Sequence, residues 1–123
     1  MGSTVRAIVV TADLDRLVAF YAGVFGAEEV ERVPAEGQSF YVGLRIGNSD
    51  LGLVADASVQ TGSPQRMLLS IAVPEVDALL ERVTALGGRV DGLPNDMPWG
   101  QRVAHVHDPD GTTVNLTQDL PAR

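Results

Sequence analysis

Two stretches of this chain place apolar residues at helical spacing, and short β-rich runs surround both. In the first, Leu14, Leu17, Val18, Tyr21, Val24 and Phe25 recur every three or four positions and predict an amphipathic helix. Asp13 or Thr11 can cap its start, and Gly26 can end it. In the second, Val76, Leu79, Leu80, Val83 and Leu86 mark another helix, with Pro74 near its first turn and Gly87-Gly88 past its end. Strands are predicted over residues 5–10, weakly over 30–33, and then over 39–46 and 51–55, joined as a hairpin across Gly47-Asn48-Ser49-Asp50. Residues 59–65 are mostly polar, contain Gly62 and Pro64, and read as a linker. Strands follow at 67–73 and 89–93, then a loop at 94–100. The last two strand-like runs flank Asp108-Pro109-Asp110-Gly111. Pro109 presets φ at the second turn position and Gly111 accepts a positive φ, so a tight hairpin is expected there.

The order of elements is βαβββ, and it occurs twice. Laying Gly26 on Gly88 also puts Asp15 on Asp77, an internal repeat with one copy at about 4–57 and the other at about 66–119. In each copy one helix covers one sheet face and leaves the other to be buried. Two such copies are expected to form an α+β domain, 1–123, with a curved mixed sheet around a cleft. A plain α+β sandwich without a cleft has the same composition.

The other bulk properties mostly exclude. The chain has 123 residues, enough for one compact domain, with 45% hydrophobic and 20% charged residues as in ordinary globular proteins. No apolar run approaches a membrane span and no secretory signal pattern occurs, so no membrane partner and a cytoplasmic location are expected. With no cysteine there is no disulfide, thiolate metal site or cysteine nucleophile. Net charge is −7, without a basic cluster, which argues against nucleic acid as a partner.

Three groups of residues carry a family resemblance. They are Asp13-Leu14 with Phe20-Tyr21 and Val24-Phe25-Gly26, Val76-Asp77-Ala78-Leu79 with Ala85-Leu86-Gly87-Gly88, and the run from Arg102 to Leu116. Together they resemble the glyoxalase/bleomycin resistance/dioxygenase (vicinal oxygen chelate) superfamily over nearly the whole chain. The resemblance implies its two-repeat fold, and one scaffold serves many activities. Enzymes of the family hold a divalent metal with histidines and glutamates on the first and last strands of each repeat, converging at about 2 Å. Matched residue by residue, the first-strand position falls on Arg6, the fifth-strand position on Leu68 and the last-strand position on Asn115; the fourth-strand position lies within residues 53–55. None of these is a histidine or carboxylate, and a guanidinium repels a cation. The expectation is a chain with no metal, no cofactor and no catalytic residue, which favours binding over catalysis.

His105 and His107 are the only histidines. If Val106 pairs with Thr113, both share the face of Val114 and Leu116, away from the cleft; a slip of one residue inverts that. The remaining candidates form a recognition surface. Trp99, the only tryptophan, sits in the loop 94–100 beside the flexible Met97 and can stack on a flat ligand or fill a sheet edge. Phe40 and Tyr41 alternate, so one of them faces the cleft, with Phe40 taken as the candidate. Arg6 and Arg102 can hold an anionic group or pair with local acids. The expected ligand site is therefore Arg6, Phe40, Leu53, Leu68, Met97, Trp99, Arg102, Thr113 and Asn115, mostly apolar with a few oriented polar groups. The resemblance implies a homodimer that binds an apolar or aromatic small molecule, as in family members that sequester bleomycin or mitomycin. The alternative is a lyase, isomerase or dioxygenase of the glyoxalase type.

Overall fold

The computed structural model describes residues 6–60, 62 and 67–121. Most of the expected linker lies outside these residues. Contacts group the chain into two compact units that meet between residues 61 and 62. Each is a βαβββ module with its own four-stranded mixed sheet, as expected for this α+β fold. Among the described residues no helix is long and apolar enough to cross a membrane.

In the first unit β1 (Ala7–Thr11) leads into α1 (Leu14–Phe25), followed by β2 (Glu28–Val33), β3 (Tyr41–Ile46) and β4 (Ser49–Ala55). The sheet order is β1-β4-β3-β2, with β1 parallel to β4 and the other pairs antiparallel. The helix starts where Asp13 caps it, accepting from the Arg16 N–H, while the Asp13 N–H donates to the buried Thr11 hydroxyl at 3.0 Å. It ends at Gly26, whose φ of 69° turns the chain so that the Ala27 N–H reaches back to the Tyr21 carbonyl at 3.3 Å. Leu14, Leu17, Phe20, Tyr21 and Val24 form its buried stripe. Phe20, Tyr21 and Phe25 pack ring on ring at centroid distances of 5.1–6.3 Å. Val42, Leu44, Leu51 and Leu53 complete this core from the sheet.

The second unit repeats the order with β5 (Leu69–Ala72), a 3₁₀ turn (Asp77–Leu79) running into α2 (Leu80–Ala85), β6 (Arg89–Asp96), β7 (Gln101–His107) and β8 (Thr113–Asp119). Its order is β5-β8-β7-β6. The helix is shorter than the apolar spacing suggests, because its first turn is 3₁₀. The Val76 N–H is taken up by the Gln118 side chain at 2.8 Å. Positive φ falls on Gly87 rather than Gly88. Val76, Val83, Ala104, Val106, Val114 and Leu116 are buried. Strand β6 extends three residues beyond the expected 89–93, with a bulge between Asp91 and Asn95 that shortens the loop before β7.

The β7–β8 hairpin corrects one expectation. Val106 pairs with Val114, and His105 with Asn115. The loop is wider than a tight turn: Asp108 donates its N–H to the Thr112 carbonyl, and its Oδ1 accepts from the Asp110 and Thr112 N–H groups. Thr112 is thereby held in the loop. The register moves by one residue, and the two histidines lie on the face opposite Val114 and Leu116.

Candidate functional site

Each sheet has one face under its helix and one open face, and the side chains with useful chemistry lie on the open ones. On the first sheet, alternation puts Arg6, Ile8 and Val10 there from the β1 side, Asp50, Gly52 and Val54 from β4, and Tyr41, Gly43 and Arg45 from β3. Gly43 and Gly52 are paired and leave a groove in which the Tyr41 ring lies. A Cβ on Gly52 would stand 3.0 Å from the Tyr41 hydroxyl oxygen and 3.2 Å from Ile8. Arg6 Nη1 donates to the Tyr41 hydroxyl at 3.3 Å, and its Nη2 stands 3.6 Å from Asp50. Arg45 Nε donates to the other Asp50 oxygen at 2.9 Å. That hydrogen bond holds the Asp50 carboxyl below its usual range against partial desolvation, and the charges of Arg45 and Arg6 act in the same direction.

On the second sheet the open face carries Gln101, the buried Val103, His105 and His107 from β7, Thr113, Asn115, Thr117 and Asp119 from β8, and Ser70 from β5. His105 Nδ1 lies 2.8 Å from Asn115 Oδ1. An amide oxygen only accepts, so with Asn115 in this orientation Nδ1 is the donor. His107 Nε2 donates to Asp91, whose carboxyl that bond and then Arg89 hold below its usual range, partly offset by desolvation. At the end of this face Trp99 is 68% exposed. Its indole N–H donates to Gln101 at 3.0 Å, and Gln101 in turn donates to Asp119 at 3.1 Å. These bonds tie the exposed ring to β7 and, through Gln101, to β8.

Set against these faces, the sequence candidates divide. Arg6, Trp99, Thr113 and Asn115 stand on or beside open faces, Met97 is half-buried next to Trp99, and Leu68 is exposed just before β5. Three placements differ from expectation. Leu53 is fully buried under α1, so it packs the core. Phe40 precedes β3, and Tyr41 is the one that takes the open face. Arg102 points to the helix side, where it clasps Asp96 at 2.7 and 3.2 Å and Asp77 at 2.8 Å; both acids raise its already high pKa, Asp96 most. Sequence reading also missed Asp91 and Asp50 as partners, and His105 as an open-face group. The His-x-His alternation was the available signal, and only the register inverted it.

The repeat fixes the fourth-strand position. Asn115 lies between Ser70 and His105, and in the first sheet Gly52 lies between Ile8 and Gly43. Gly52, outside the expected 53–55, is therefore the counterpart of Asn115. A glycine covered by a phenol offers a metal nothing.

The duplicated βαβββ unit is matched by known sequences. The family model of the glyoxalase/bleomycin resistance protein/dioxygenase superfamily matches residues 4–116. The chain belongs to this superfamily. Lactoylglutathione lyase GLX1 of Arabidopsis thaliana is 32% identical over 118 residues, which is 89% of this chain and 41% of that protein. CFP32 of Mycobacterium bovis is 28% identical over 98% of this chain and 45% of its own length. The chain thus spans less than half the length of both relatives. The crystal structure of TioX from Micromonospora sp. ML1 is 26% identical, superposes with a TM-score of 0.74, and is covered over its full length by 97% of this chain.

A divalent metal is the group this superfamily implies. Among the described residues no three His, Asp or Glu side chains form a cluster that could hold one. His105 is engaged by an amide and His107 by Asp91. These residues do not fit a divalent metal.

Proposed function

We propose that this superfamily member is a small-molecule binding protein of the antibiotic-sequestering kind, acting without a metal centre. Its ligand surface is the open face of the second unit, with Leu68, Met97, Trp99, Thr113 and Asn115 joined by His105; on the first unit's own open face stand Arg6 and Tyr41. The observation that carries this reading is the exposed Trp99 indole, held by Gln101 and Asp119. An aromatic face already oriented in water loses little freedom when a planar ligand stacks on it. The ligand is an apolar or aromatic small molecule. A cytoplasmic homodimer, with no nucleic-acid or membrane partner, belongs to the same proposal.

Titrating bleomycin and mitomycin against Trp99 fluorescence tests it. Trp99→Ala should weaken binding by about 1–3 kcal/mol. Unchanged affinity in the folded variant would leave the ring a filler. The glyoxalase-type enzyme is the second reading, favoured by the His105 imidazole on the open face and by the likeness to GLX1. Elemental analysis finding about one Zn, Ni, Fe or Mn per chain would favour it instead, since such sites are built from three or four protein donors.

A further inference from the structure

The first unit contains a cavity of about 200 Å³ on its open face, lined by Arg6, Val30, Glu31, Tyr41, Arg45 and Asp50 among others. We propose that this cavity binds the carboxylate end of a small organic acid. It rests on the reading of an open face as a ligand surface, and it extends that reading to the first unit, remote in sequence from Trp99.

Asp50 sits at the centre of the cavity's charged groups. This one carboxylate holds two guanidiniums, Arg45 through Nε at 2.9 Å and Arg6 through Nη2 at 3.6 Å. The three charges sum to +1, and each guanidinium has five N–H donors, of which these contacts engage only some. The Arg6 bond to the Tyr41 hydroxyl uses that oxygen as acceptor, so the Tyr41 O–H stays available to donate. Guanidinium and phenol donors on one cavity wall match the lone pairs of a carboxylate. The Tyr41 ring, laid across Gly43 and Gly52, makes an apolar floor, and Val30 adds an apolar wall. Glu31 brings the summed charge of these side chains to zero, so a monoanion is held by the remaining N–H and O–H donors rather than by net charge, and a phosphate dianion is disfavoured. The volume is below the range of about 300–1,000 Å³ typical of whole drug-sized ligands, so it suits an aromatic acid or the acidic end of a longer molecule.

The test uses the whole chain with sodium benzoate as probe, and inorganic phosphate and benzamidinium as comparators. Binding is followed by calorimetry and by NMR of the arginine side-chain N–H signals. Benzoate should bind saturably and shift Arg6 and Arg45. Arg6→Gln should weaken it about tenfold, the effect of one charge-assisted hydrogen bond, and Tyr41→Phe about threefold. Tyr41→Phe keeps the ring over the glycines, so it decides the matter if Arg6→Gln fails to fold. Tighter binding of benzamidinium or phosphate than of benzoate overturns the proposal. So does unchanged benzoate affinity in folded Arg6→Gln and Tyr41→Phe proteins. Trp99 reports separately: a bleomycin response without benzoate binding ends this inference alone, and the converse ends the sequestration reading alone.

Discussion

The two units share one topology and differ in what they do with it. The first builds a twelve-residue helix with a three-ring aromatic cluster beneath it, and its open face fills a glycine pair with Tyr41. The second makes do with a 3₁₀ turn and a six-residue helix, and its open face is a ladder of imidazole, amide and hydroxyl groups ending at Trp99. The helix-side faces are alike because both must be dry. The open faces diverge freely because a sheet held by one face tolerates almost any residue on the other. Duplication of a fold therefore preserves the core pattern and leaves chemistry to the alternate positions.

That contrast can be broken at the core first. Phe20→Ala removes a ring of 0% exposure and should cost about 3–5 kcal/mol in urea unfolding, and Leu53→Ala about 2–5 kcal/mol. Val83→Ala under the short second helix should cost less than either. An equal loss would show that the core under the short helix closes over a lost side chain less well than the core under α1. Leu53→Ala should act through stability alone, leaving ligand affinity of the folded fraction unchanged.

Acid sharpens the comparison of the two open faces. Asp50 and Asp91 both have folded pKa values below the unfolded value of 3.8, Asp50 first through Arg45 and Asp91 first through His107. A depressed carboxylate stabilises above its unfolded pKa, and that contribution disappears as pH falls through the folded value. The urea midpoint should therefore drop below about pH 4, the range where unfolded carboxylates titrate. Asp50→Asn and Asp91→Asn should each flatten that drop. If only one does, the open faces differ in electrostatic role as well as in residue type.

The smallest effect concerns the held indole. Gln101→Ala removes the acceptor of the Trp99 N–H and should change stability by no more than about 0.5 kcal/mol, as for most surface substitutions. The Trp99 fluorescence anisotropy should fall. An unchanged anisotropy would mean that packing, rather than the Gln101–Asp119 relay, orients the ring.

Much of the fold could be read directly. The stripe Leu14, Leu17, Tyr21, Val24, the Asp13 cap and the Gly26 stop are local signals, and α1 spans the interval they predict. The site was less legible, and for a definite reason. For Arg102 the sequence left two roles open, anion holder or ion-pair partner, because Asp77 and Asp96 lie 25 and 6 positions away. Leu53 looked like a lining residue because three successive apolar positions, 53–55, do not announce their faces.

What the sequence determined alone was everything periodic or adjacent: two βαβββ repeats and the first helix. What only the tertiary structure decided was parity. A strand has a period of two, so one residue held in the Asp108–Thr112 loop was enough to carry His105 and His107 from the core side to the open face, beside Asn115 and Asp91. Local pattern says that a residue is in a strand; the partner strand and the loop that sets its register say which way it points.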